Sequence, residues 1–202
     1  VHEMMDELLE SSEYYTRKTK VAEWNKGNKI LKRGIAFNPV KFGISFTLTQ
    51  LNQAGALVHV YNDGSVRINH GGTEMGQGLF QKVAQVAARI FGIPIKKVQI
   101  TATDTAKVPN TSATAASSGS DLNGMAVKEA CDIICARISS YFIEKYRPNT
   151  NDVKFEDGRV RGSNFDISFE DAVYEIYTQR ISLSSTGFYK TPDLQWDRIK
   201  GK

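Results

Sequence analysis

Gly71-Gly72-Thr73-Glu74-Met75-Gly76-Gln77-Gly78 opens directly onto a helical pattern, with Val83, Val86, Ala87 and Ile90 on one face and Gly92 and Pro94 beyond its end. That spacing is the i, i+3, i+4, i+7 signature of an amphipathic helix, and Gly followed by Pro is a stop signal. The residues before the loop alternate instead. Ala56-Leu57-Val58-His59-Val60-Tyr61, Asn62-Asp63-Gly64 and Ser65-Val66-Arg67-Ile68 read as a hairpin, with Asp63-Gly64 supplying the positive φ of a tight reversal. Gly34 to Phe37 and Phe42 to Phe46 also alternate like strands, and Val98 to Ala102 reads as another. A second loop of small residues, Asn110-Thr111-Ser112-Ala113-Thr114-Ala115-Ala116-Ser117-Ser118-Gly119-Ser120, then leads into a long helix carrying Leu122, Met125, Ala126, Ala130, Ile133, Ile134 and Ile138.

Outward from these junctions the pattern stays mixed. Met4 to Trp24 spaces its apolar residues helically, predicting a surface helix or helix pair that ends at Lys26-Gly27-Asn28. A strand at Val153 to Phe155 and a turn at Asp157-Gly158 precede a helix with Ser168 and Asp171 at capping-box spacing, and Ile181 to Tyr189 is a β-rich tail. The fold class is α+β (mixed α/β), without a Rossmann order. The chain of 202 residues, 41% hydrophobic and 24% charged, is long enough to bury a core, and its net charge of +4 is spread rather than gathered in a basic face. These features argue against nucleic-acid binding, and no apolar run approaches the roughly 20 residues of a membrane span. A cytoplasmic setting is expected. Cys131 and Cys135 stand one helical turn apart with no His or third Cys to complete a metal set, so buried free thiols are expected. His59 and His70 fall in or just after strands, where a hydrogen-bonded structural role is the ordinary one.

A loop of glycine and small hydroxyl residues running into a helix aims backbone N–H groups and the positive end of the helix dipole at whatever lies ahead, which suits a phosphate. The first loop is not a Walker A motif, since Lys and Ser/Thr do not follow its last glycine, nor a G-x-G-x-x-G fingerprint. The plain alternative is that the glycines make turns and Ser117 and Ser118 cap a helix.

The two loops, with Val108-Pro109 before the second, resemble the pterin-gripping loops of the xanthine dehydrogenase family. Lys41-Phe42-Gly43-Ile44-Ser45-Phe46-Thr47 and Leu51 to Ala56 resemble a segment before them, and Ser182 to Tyr189 one after them, in the right order from about Lys32 to Pro192. The resemblance implies a helical lead-in over residues 1–32 and a molybdopterin-binding α+β domain over 33–202, as a fragment of a longer chain. It implies molybdopterin held by Met75, Gly76, Gln77, Ala116, Ser117 and Ser118, and a substrate cavity to which Phe46, Thr47 and Leu51 contribute. Gln50 stands where animal members carry an aromatic, and Gly119 where they commonly carry a hydroxyl.

The parent enzyme so implied hydroxylates xanthine or hypoxanthine and passes electrons to iron–sulfur clusters and FAD in its remaining domains or subunits. The family's general-base Glu and its substrate-orienting Glu match nothing in these 202 residues, and Glu74 is not that base. The segment alone is therefore expected to be inactive. The alternatives are an aldehyde oxidase-type molybdenum hydroxylase and a non-catalytic cofactor-holding module. The intact Gly43-Ile44-Ser45-Phe46-Thr47 string favours purine.

Overall fold

The computed structural model describes residues 2–40, 43–107, 111–115, 117–149 and 152–201. These divide into two compact units, Val1–Gly43 and Ile44–Lys202. The first unit is the expected helix pair, α1 (His2–Ser11) and α2 (Tyr14–Gly27), broken where Glu13 takes a left-handed conformation. The chain after α2 folds back on it: Asn25 Nδ2 donates to the Arg33 carbonyl, its Oδ1 accepts from Arg33 N–H, both at 2.9 Å, and the Arg33 guanidinium lies 4.1 Å from the Trp24 ring centroid. The alternation over Gly34 to Phe37 forms no strand, because no neighbouring strand supplies a ladder there among the described residues.

In the second unit the expected hairpin is β1 (Gln53–Val60) and β2 (Val66–His70), with Gly64 at φ 76° in its turn. Helix α3 (Leu79–Phe91) crosses to β3 (Val98–Ile100), parallel to β2, while β7 (Ser184–Lys190) pairs antiparallel with β1, giving the order β3-β2-β1-β7. Period-2 burial puts Ala54, Ala56, Val58 and Val60 of β1 on the inner face. That face carries α3 and the long α4 (Gly119–Tyr146), whose Ala126, Ala130, Ile134 and Ile138 are buried. Gly187 of β7 lets α4 approach so closely that a Cβ there would collide with the Ala126 carbonyl.

A second, three-stranded sheet, β4 (Lys154–Glu156), β5 (Arg159–Gly162) and β6 (Phe165–Ser168), leads into α5 (Phe169–Thr178). The sequence reading had only the first of these strands. Ser168 caps the helix as its spacing predicts, its hydroxyl accepting from Asp171 N–H at 3.0 Å, while the Asp171 carboxylate accepts from that hydroxyl at 2.6 Å. Gly92 ends α3 at φ 64°, with Phe155 and Glu156 backbone where a Cβ would stand, and its carbonyl accepts from Gly158 N–H at 2.6 Å. Among the described residues no helix is long and apolar enough to cross a membrane. Cys131 and Cys135 of α4 are free thiols, and burial pushes the Cys135 thiol up to about 12 and that of Cys131 higher still.

Candidate functional site

The first loop, between β2 and α3, is closed by its own side chains. Gly76 (φ 94°) and Gly78 (φ 77°) turn the backbone through the left-handed region, with no atom within 4 Å of where either Cβ would stand. This lets the Glu74 carboxylate fold back onto the start of α3. It accepts from Gly76 and Gly78 N–H at 2.9 and 3.0 Å and from Phe80 N–H at 3.0 Å. These amides, Phe80 first, hold the Glu74 carboxyl below the usual carboxylate range. The positive end of α3 is thus met by the chain's own anion. Gln77 stiffens the same turn: its Oε1 accepts from Met75 N–H at 2.6 Å and its Nε2 donates to the Thr73 carbonyl at 2.9 Å.

The second loop, before α4, is open. Ser118 is buried, and its hydroxyl donates to the Ala115 carbonyl at 3.0 Å instead of capping the helix. Ser117 sits at φ 56°, an uncommon conformation for a residue with a Cβ, and is exposed. The N-terminus of α4 therefore has no side-chain cap. The loops are joined at the surface where Thr73 N–H donates to the Thr114 hydroxyl at 2.8 Å. Between them lies a cleft of about 360 Å³, walled by Met75, Gln77, Leu79 and Lys82 on one side and Thr114, Ala115, Ser117, Gly119 and Ser120 on the other.

Of the residues expected to hold cofactor, Met75, Gln77 and Ser117 line this cleft. Gly76 belongs to the same turn, Ser118 braces the second loop from within, and Ala116 lies outside the described residues, as do Lys41, Phe42 and 108–110. Lys82, Thr114 and Ser120 escaped the sequence reading. Lys82 was within reach of it, because four residues after Gly78 is one turn into α3 on the side of the loop.

Phe46, Thr47 and Leu51 form a separate turn that does not wall the cleft. Buried Asn52 holds that turn: its Oδ1 accepts from Phe46 N–H at 2.9 Å, and its Nδ2 reaches the carbonyls of Phe46 and Thr49 at 3.0 and 3.1 Å. Phe46 is half-buried, and Thr47 is exposed. The Ser112 hydroxyl, at the start of the second loop, donates to the Leu51 and Gln53 carbonyls and so ties this turn to the cleft wall.

An uncapped helix end, a lysine and glycines with open space beside them suit a large ligand with a phosphate and a polar edge. Residues 7–202 match the molybdopterin cofactor-binding domain model. The chain is 49% identical over 199 residues, 98% of its length, to the xanthine dehydrogenase/oxidase of Gallus gallus, and 46% identical over 189 residues to the xanthine dehydrogenase of Dictyostelium discoideum. It spans about 13% and 12% of those two relatives. Quinoline 2-oxidoreductase from Pseudomonas putida 86 has a similar fold, with a TM-score of 0.72 and 18% identity over 95% of this chain and 26% of that one. The Cu,Mo-CO dehydrogenase matches over 70% of this chain and 19% of its own, with a TM-score of 0.63 and 21% identity.

Proposed function

Because the chain belongs to the molybdopterin cofactor-binding domain family, we propose that it is the segment of a xanthine dehydrogenase that grips the pterin between its two loops and contributes one wall of a purine cavity. The observation that carries this reading is the convergence of both loops on one cleft at the uncapped end of α4. When bound, the molybdenum cofactor supplies the oxygen-transfer and redox chemistry by which hypoxanthine and xanthine are hydroxylated towards urate.

The chain's own residues bind and orient. Backbone N–H groups at the start of α4 and the ammonium of Lys82 attract the anionic part of the ligand, while Glu74 keeps the α3 end from competing for it. Met75, Gly76 and Gln77 cover one side of the pterin, and Ala116, Ser117 and Ser118 form the other. The Phe46 ring packs against a flat heterocycle, Thr47 lies at its edge and Leu51 lines the approach. Residues 1–32 form a helical lead-in. A general-base Glu, iron–sulfur clusters and FAD belong to the remaining domains or subunits, and the segment alone does not turn over substrate. The Gly43 to Thr47 string and the 49% identity to a xanthine dehydrogenase/oxidase support purine over aldehyde.

Pterin and molybdenum content of the purified full-length protein tests the reading. Wild type holds both, and Lys82→Met lowers both severalfold at unchanged melting temperature. A wild-type protein without pterin overturns the cofactor grip, and one that holds pterin but turns over aldehydes and not xanthine overturns the substrate assignment.

A further inference from the structure

We propose that His70 and Asn123 form a buried clasp that positions the two loops against each other from beneath, an inference that rests on reading those loops as the cofactor grip. His70 is the last residue of β2, only 2% exposed, with the edge of its ring against Phe80 at 5.3 Å between centroids. Its Nδ1 accepts from the N–H of Gly72, the second residue of the first loop, at 3.0 Å. An imidazole that accepts at Nδ1 while neutral must carry its proton on Nε2. That Nε2 is buried with no hydrogen-bond partner.

Asn123, 4% exposed, is its complement across the interior. Its Nδ2 donates at 2.8 Å to the carbonyl of Gly119, the first residue of α4 and part of the cleft wall, while its Oδ1 is buried without a partner. The carboxamide fills the space beside Gly72, where a Cβ would lie 2.8 Å from Nδ2, and it is near enough to the His70 imidazole to oppose the lowering of its pKa by burial. An unpaired buried donor beside an unpaired buried acceptor is a double penalty that one bond removes. Closing Nε2–H onto Oδ1 completes a path from Gly72 N–H through the ring and the carboxamide to the Gly119 carbonyl. The surface bond from Thr73 N–H to Thr114 is a second link at a different depth. Two links at different depths fix the angle between the loops, where one alone leaves a hinge.

His70 and Asn123 are positioning residues, since neither lines the cleft. Hydrogen–deuterium exchange and pterin content of the full-length protein, with and without cofactor, test the clasp in His70→Phe, Asn123→Leu, the double variant and His70→Gln. Gln carries one acceptor and one donor, so His70→Gln keeps both ends of the path, and Phe keeps only the ring. Either truncating single variant is expected to speed exchange in both loops, over 71–78 and 111–119, and to lower cofactor retention roughly tenfold, the scale of one hydrogen bond. The double variant loses no more than the worse single, and His70→Gln retains most of the cofactor. Faster exchange only around the substituted residue, additive losses, or Phe performing as well as Gln overturns the clasp. A wild type without pterin overturns the cofactor reading instead, and coupled exchange between the loops then still tests the clasp.

Discussion

The loops before α3 and α4 have the same plan, small residues running into a helix, and differ in whether a side chain takes the amides at the helix start. The first brings its own carboxylate: Glu74 takes the amides at the start of α3, and Gln77 takes two backbone groups of the turn. The second has a carboxylate in the first turn of its helix, Asp121, but no side chain caps the start of α4, which stays open to the cleft. A helix N-terminus is thus an anion site only where the chain has not already filled it. Of two junctions that look equally suited to phosphate in the sequence, one supplies shape and the other attraction.

The sharpest way to break this contrast is through pH, because only the first loop rests on a buried titratable ring. Burial lowers His70 from 6.5 to about 4. The unfolded chain therefore takes up a proton that the folded state refuses, so the stabilisation is complete above 6.5 and is lost as pH falls towards about 4. That difference amounts to about 3 kcal/mol. Melting temperature followed from pH 7 to 4 should fall less steeply in His70→Gln than in wild type, and equal slopes would remove His70 from the account.

Next in size is Gly72→Ala, whose Cβ would stand 2.5 Å from Leu79 Cδ2 and 2.8 Å from Asn123 Nδ2. Overpacking of this kind costs about 1–3 kcal/mol. Because it forces α4 away from the first loop, cofactor content should drop with stability, and a stable variant with full occupancy would separate the loops that the contrast joins.

Gln77→Ala removes two bonds inside the first loop, with an expected stability loss of about 0.5–1.5 kcal/mol per bond at most. Retention should weaken through a looser turn, seen as faster exchange over 71–78 without a change over 111–119. Matching changes in both would mean that Gln77 acts across the cleft. The smallest effect has the opposite sign. Ser120→Asp adds a second carboxylate, next to Asp121, to the first turn of the uncapped α4 and should raise stability by about 0.3–1 kcal/mol while emptying the cleft of its anionic ligand. Stability gained with cofactor retained would show that the α4 end faces no anion.

What could be read from the sequence was local. The Asp63-Gly64 hairpin, the Gly92 stop, the Ser168 and Asp171 cap and the long α4 each depend on residues a few positions apart, and each is where the pattern put it. Strands β5 and β6 escaped because each is only four residues long, so Arg159 to Gly162 and Phe165 to Ser168 alternate over too few positions to stand out from the turns around them. Gly34 to Phe37 alternates with no partner to pair with among the described residues. At the site, Met75, Gln77 and Ser117 were legible through resemblance to a family, whereas Lys82, Thr114 and Ser120 were not, nor were the hydrogen bonds that shape the loops. Glu74 caps α3 only because two glycines bend the chain back, and Asn123 packs beside Gly72 from a distant part of the sequence. Asn52 resembles any loop asparagine until its carboxamide is seen holding four backbone groups.

Helix α3 is pinned at both ends, by Glu74 at its start and by the Gly92 to Gly158 contact at its finish. Its length of 13 residues is therefore a fixed dimension, like the span of a bridge between two piers. Deleting or inserting one residue would turn one end against the other by about 100° and shift it by about 1.5 Å. Apart from Lys82, side chains on the exposed face of α3 are free to drift over evolutionary time, whereas insertions and deletions must collect elsewhere, in the connections that no second anchor measures.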